Sequence, residues 1–197
     1  MTEKEVLQHW KYFLTLEKDL IRLKDYVEIH PDNFETYSFE LSKLLQLSCS
    51  EIDSVCRLLS KAIDPKVTYD DETTRGGNIA TYRNIIMGTY PQITTVNINI
   101  PDIGDIQPWQ EWTTVNKPGW WDDYNKVKHY RHSSFKKANL KNVLYALTAL
   151  ETMIMYLYRH ILNKKHATPT PFPKYLDSEY FAPYFMCRPN KELPDFE

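Results

Sequence analysis

The sequence predicts a mainly α-helical bundle with an N-terminal helical hairpin, a small β excursion and a long final helix. Two observations carry that expectation. Apolar residues recur at three- and four-residue steps through three long stretches, whereas a single short stretch, residues 94–100 (TTVNINI), alternates with a period of two. The composition agrees: 42% hydrophobic and 25% charged residues in a chain of 197 are ordinary for a globular protein. A chain of this size buries roughly 70% of the surface its unfolded form exposes, so no disulfide is needed to hold it.

In the first stretch Val6, Phe13, Leu16, Leu20, Leu23 and Val27 share one helical stripe, and Thr2 with Glu5 forms a capping box at its start. The segment His30-Pro31-Asp32-Asn33 breaks the pattern, and Asp32, with Glu35 three residues on, is expected to cap the next helix. That helix carries Leu45, Cys49, Ile52, Cys56, Leu59 and Ile63, and is expected to pack antiparallel on the first. Asp64-Pro65 ends it, and residues 66–78 read as an exposed acidic loop broken by Gly76-Gly77.

Residues 79–90 fit a short helix, and residues 94–100 a strand with Val96, Ile98 and Ile100 on one face, turning back through residues 101–105. Residues 107–121 crowd Trp109, Trp112, Trp120 and Trp121 into a loop-like stretch that is expected to clamp this excursion onto the body. Leu140, Val143, Leu147, Leu150, Ile154, Leu157 and Ile161 then predict a central helix of about 30 residues, starting near Ser133 or Ser134 as its cap. Beyond Ala167 the chain holds six of its twelve prolines, yet Phe172, Tyr175, Tyr180, Phe181, Tyr184 and Phe185 are too apolar for a free tail. The expected division is a helical domain over residues 1–166 and an extension over 167–197 that packs on the body or on a partner.

Several function classes receive no support. The N-terminus, MTEKEVLQHWKYF, lacks a signal peptide's apolar run, and no stretch reaches 18 apolar residues, so a cytoplasmic protein with no membrane partner is expected. Cys49, Cys56 and Cys187 are odd in number, and the first two fall seven apart on a helical pattern, which suits buried thiols. No Gly-x-Ser-x-Gly elbow is present, and Arg75-Gly76-Gly77 lacks the spacing of a phosphate loop. His129 and His132, one turn apart beside Asp122 and Asp123, lack a clear third ligand, so no metal and no cofactor are assigned.

One segment stands out in this slightly acidic chain, whose net charge is −2. From Tyr124 to Lys141 it carries six Lys or Arg and no acidic residue, together with His129 and His132. On a helix, Trp121, Asn125, Lys128, His129 and His132 fall on neighbouring steps of one face. Imidazoles beside Lys and Arg can move a proton at a ribose hydroxyl and stabilise charge on a phosphate, an inventory able to cleave RNA without metal. The alternative is that Lys126, Lys128, Lys136, Lys137 and Lys141 form a solvated helix face and the tryptophans are core. Glu51 or Glu151 could orient Lys128 or Arg131, and Asn139 and Asn142 could hydrogen-bond the WWDDYN segment. His160 and His166, with Lys164 and Lys165, close the last helix, where cations complement its dipole.

The pattern WWxxYNxxKHxR followed by FxxANLxNVLxAL resembles the helical HEPN-like proteins, the higher eukaryotes and prokaryotes nucleotide-binding superfamily. The resemblance spans about residues 10–163, and its specific part is residues 120–147. It implies a helical bundle, usually a homodimer, with RNA or a nucleotide as partner; many such proteins are bacterial and linked to phage defence. Catalytic members resemble metal-independent ribonucleases with an Arg and a His four to six residues apart at the start of the last long helix, and others resemble non-catalytic binding modules. Carried over, Arg131 stands at the matching place. Residues 135–138, four to seven after it, contain no His, and His129 and His132 flank it instead; Arg159 with His166 has an allowed spacing but lies at the far end of the helix. The resulting expectation is an RNA-directed protein in which His129 acts as acid or base and Arg131 and Lys128 hold phosphate. Tyr124, Asn125, His132, Trp121 and Asn139 then line the site. The alternative is a non-catalytic dimeric binding or scaffold protein.

Overall fold

Thr2 opens the first helix, α1 (Glu3–Leu23), through the expected capping box: its hydroxyl accepts from the Glu5 amide, and the Glu5 carboxylate accepts from the Thr2 amide at 2.6 Å. The computed structural model describes residues 1–67, 77–164, 166–176, 180 and 193–196. Cys187, Phe181, Tyr184, Phe185 and most of the loop around Gly76 lie outside them. α1 buries Val6, Trp10, Phe13, Leu16 and Leu20, and ends at Leu23, short of Val27, where the chain tightens into turns.

The second helix, α2 (Phe39–Ile63), starts later than a cap at Asp32 requires. Pro31 instead begins a single 3-10 turn, Pro31–Asn33, whose first amide is taken by His30 Nδ1, and Ser38 caps α2 by accepting from the Leu41 amide at 3.1 Å. Glu35 is released from the expected capping box and accepts from Asn139 Nδ2 at 3.3 Å. Cys49 and Cys56 lie wholly buried on α2, and burial pushes both thiols well above their ordinary pKa.

Asn78 caps α3 (Ile79–Thr89), accepting from the Ala80 and Thr81 amides while Thr81 returns the bond. The predicted strand is shorter than its pattern. Val96, Ile98 and Ile100 all point inward, but residues Pro91–Thr95 form a 3-10 turn, leaving β1 (Ile98–Ile100) paired antiparallel with β2 (Gly104–Ile106). Ile98 faces Ile106 and Ile100 faces Gly104. The hairpin closes through Asp102 (φ +66°) and Gly104 (φ +93°), left-handed backbone that costs a glycine little.

Helix α4 (Gly119–Ser134) and helix α5 (Leu140–Leu162) divide what the sequence suggests is one long element. Neither Ser133 nor Ser134 caps the last helix. Tyr130 leaves helical geometry (φ −134°, ψ 41°), a 3-10 turn follows at Phe135–Lys137, and Asn139 caps α5 by accepting from the Asn142 amide at 3.0 Å. Asn163, at φ +50°, closes α5 in the left-handed conformation that ends many helices.

α2 and α5 run parallel in close contact. Their starts are tied by the Leu140 amide to the Thr36 carbonyl (2.9 Å) and the Lys141 amide to the Phe34 carbonyl (3.2 Å), and their ends meet the start of α1, which is antiparallel to both. The described tail residues cross this body. Glu17, 2% exposed on α1, accepts from the amides of Lys174, Tyr175 and Leu176, and Trp10 donates to the Pro171 carbonyl. No helix of the described residues is long and apolar enough to cross a membrane.

Candidate nucleic-acid interface

The tryptophans hold α4 in place rather than facing a ligand. Trp109 packs on Trp112 (ring centroids 4.1 Å), Trp120 packs on Trp109 (5.3 Å), and Trp121 packs on Trp120 (5.8 Å) and Tyr124 (5.2 Å). Two of the indole N–H groups are satisfied internally: Trp109 donates to the Ala149 carbonyl of α5 and Trp120 to the Pro108 carbonyl. Glu111 accepts from the Gly119 amide at 2.9 Å, placing a carboxylate against the positive end of α4.

The basic segment splits into two groups. Lys126 is paired with Asp122 (2.8 Å) and Asp123 (3.4 Å), and Lys137 with Asp123 (3.3 Å), so both are already neutralised. The Lys126 hydrogen bond holds the Asp122 carboxyl below its ordinary pKa. Lys128, His129, Arg131 and His132 are exposed, and among the described residues no carboxylate pairs with any of them.

These four side chains line one cleft of about 650 Å³, whose other walls are Phe39, Gln46, Val127 and Phe135. No acidic side chain is on that wall. Phe39, 73% exposed, stands on the wall with Phe135, which packs against both Phe39 (5.0 Å) and Tyr37 (5.4 Å). A second cleft, about 620 Å³, lies on the other side of Lys128 and His129. It is lined by Trp121, Tyr124, Asn125 and Lys117 and by the first turn of α3, together with Asp53 and Asp122.

The expected single face is therefore divided. The break at Tyr130 rotates Arg131 and His132 away from Asn125 and Trp121, so Lys128 and His129 form a ridge between two clefts. Asn125 donates to the Trp121 carbonyl one turn back at 3.0 Å, and Lys128 lies 5.7 Å from the Tyr124 ring centroid. Burial pushes the Tyr124 phenol up to about 12. Asn139 lines neither cleft, because its oxygen caps α5 and its amide nitrogen holds Glu35. Asn142, rather than Asn139, reaches the WWDDYN segment, donating to Asp123 at 3.2 Å.

The remaining sequence candidates have other partners. Glu51 pairs with His9 instead of Lys128 or Arg131. Arg159, 2% exposed, donates to the Ala167 and Tyr180 carbonyls, which binds the tail to α5. Arg83 donates to the Trp112 carbonyl through Nε and a terminal nitrogen. Among the described residues no three His, Cys, Asp or Glu side chains converge to hold a metal ion.

No family model, no curated protein and no solved structure matches this chain. The chemistry of the two clefts is thus read from the residues themselves. Sequence reasoning missed Phe39, Tyr37, Phe135 and Gln46, which come from the start of α2 and the α4–α5 connection. The signal that could have found them is Tyr37-Ser38-Phe39, two aromatics flanking a helix cap.

Proposed function

We propose that this protein binds single-stranded RNA across the α4 ridge, with Lys128 and Arg131 on phosphates and the Phe39–Phe135 shelf stacking a base. The observation that supports it is the cleft lined by Lys128, His129, Arg131 and His132 with the exposed Phe39 beside Phe135 on its wall and no carboxylate there. A cationic groove beside aromatic faces is the combination that holds single strands, where stacking is worth about 1–3 kcal/mol per base. The choice of RNA follows the HEPN-like resemblance and the two imidazoles, which can hydrogen-bond a ribose 2′-hydroxyl.

Binding is the activity this geometry supports better than cleavage. Catalytic imidazoles are usually fixed by a second group, and among the described residues neither His129 nor His132 has a hydrogen-bond partner that sets its tautomer. The test is anisotropy of a labelled single-stranded oligoribonucleotide in EDTA over a range of salt, with the RNA run on a gel afterwards. Replacing both Lys128 and Arg131 by Ala is expected to weaken binding and to reduce the salt slope by about 1.4, since each lost phosphate contact on a single strand removes about 0.7. An unchanged slope sinks the reading, and RNA shortened by the wild type but not by His129→Ala restores the ribonuclease.

The exposure of Phe39, Tyr37 and Tyr130 favours one other reading, a surface on which a second copy of the chain packs. Sedimentation separates the two: a dimer that Phe39→Ala converts to monomer, with RNA affinity unchanged, assigns the aromatics to self-association.

A further inference from the structure

A second set of histidines lies at the other end of α2, about 18 Å along the helix from Gln46 to Leu58. There the start of α1 and the ends of α2 and α5 enclose a cleft of about 790 Å³, with His9 and His160 on its wall among Leu58, Ala62, Pro65 and Ile161. Neither histidine belongs to the basic segment, and the two differ from His129 and His132 in being held.

Each imidazole is held at Nδ1. His9 Nδ1 lies against the Glu51 carboxylate, which only accepts hydrogen bonds, so Nδ1 carries a proton and, in the neutral ring, Nε2 is left as an acceptor. His160 Nδ1 lies 2.6 Å from the Tyr90 hydroxyl. Tyr90 is 6% exposed, and burial, with Asp195 nearby, pushes its phenol up to about 12, so it stays protonated. His160 is the hydroxyl's one hydrogen-bond partner among the described residues, so the phenol donates to Nδ1 and the His160 proton sits on Nε2. Nδ1 being taken in both rings, Nε2 is what each has left for the cleft: an acceptor on His9 and a donor on His160.

We propose that this cleft is a binding site for a small uncharged aromatic ligand with an amide or lactam edge, its N–H donating to His9 Nε2 and its carbonyl accepting from His160 Nε2–H. The volume falls within the roughly 300–1,000 Å³ of small-molecule sites, and a mostly apolar wall with a few placed polar groups is their usual lining. A ligand with a donor and an acceptor side by side matches this pair, whereas a carboxylate has no N–H to give His9 Nε2. The site does not depend on RNA binding by α4.

Ring-nitrogen NMR of the full chain tests both steps. Expected are a Nδ1–H tautomer for His9 and a Nε2–H tautomer for His160, with both rings shifting on titration with nicotinamide or uracil up to about 10 mM. Tyr90→Phe is expected to release the His160 tautomer and weaken nicotinamide about tenfold, the loss of one buried hydrogen bond. His9→Leu, at a half-buried position away from the Tyr90 core, is expected to weaken it similarly. The proposal is overturned if the tautomers are reversed, if neither probe moves the two rings, if benzoate binds as well as nicotinamide, or if both variants bind unchanged.

Discussion

Asn142 on α5 donates its side-chain amide to the Asp123 carboxylate on α4 across 3.2 Å. The same carboxylate takes Lys126 and Lys137, and the same amide also donates to the Lys137 carbonyl at 2.8 Å. One acidic residue thus fixes the angle between α4 and α5 and withdraws two lysines from the basic surface. Asp123→Ala is expected to free Lys137 alone, because Lys126 keeps Asp122 at 2.8 Å, deepening the salt slope for single-stranded RNA by up to about 0.7 while lowering stability by about 1–3 kcal/mol for the polar groups left unsatisfied. Anisotropy against salt, read beside a thermal melt, checks it; an unchanged slope means that Lys137 does not reach the nucleic acid.

Charge and stacking separate experimentally. Phe39 is exposed and contacts Phe135, so Phe39→Ala removes aromatic surface without touching an ion pair. RNA affinity should fall by about 1–3 kcal/mol with the salt slope unaltered, because stacking releases no counterions. A change in slope at constant stacking would place Phe39 in the role of a support for Arg131 instead.

The helices were legible because their apolar steps are long: the capping box at Thr2 and the stripes of α2 and α5 need no knowledge of what lies across the core, whereas the caps Ser38, Asn78 and Asn139 were not read. The boundary between α4 and α5 was not, since the 134–140 region has no proline or glycine and the break is a backbone event at Tyr130. Lys128, His129 and His132 were singled out by local charge and helical spacing and Arg131 by the family resemblance, but their convergence with Phe39 and Gln46 depends on α2 lying parallel to α5, which no local pattern encodes. The His9–Glu51 and Tyr90–His160 pairs were invisible for the same reason, each joining residues on different elements.

The tail is anchored at a point that mutation can isolate. Glu17 accepts from three consecutive backbone amides at 2.8–3.1 Å, and a buried charge-assisted hydrogen bond of this kind is worth about 1.5–3 kcal/mol. Glu17→Ala is expected to cost about 3 kcal/mol, which for a chain of this size lowers Tm by about 6–12 °C. Hydrogen exchange at Lys174, Tyr175 and Leu176 should rise more than exchange in α5. Equal protection in both proteins would show that the Trp10 and Arg159 bonds alone hold the tail.

Buried hydroxyls and thiols give the protein a defined alkaline limit. Burial pushes Tyr82, Tyr90 and Tyr124 from 10.0 up to about 12, and raises Cys49 and Cys56 well above 9.0. The unfolded chain sheds the thiol protons near pH 9 and the phenol protons near pH 10, while the fold retains them, so above those values the unfolded state binds fewer protons. The sign follows: this contribution is complete below about pH 9 and is lost as pH rises, the phenolic part between about 10 and 12. Each tyrosine contributes on the order of 1–2 kcal/mol across that window. Tyr124→Phe removes one such group while keeping the ring that packs on Trp121. Its Tm should match wild type near pH 7 and fall less steeply than wild type from about pH 10 upward. Parallel curves across the whole range would mean that Tyr124 titrates alike in the folded and unfolded chains.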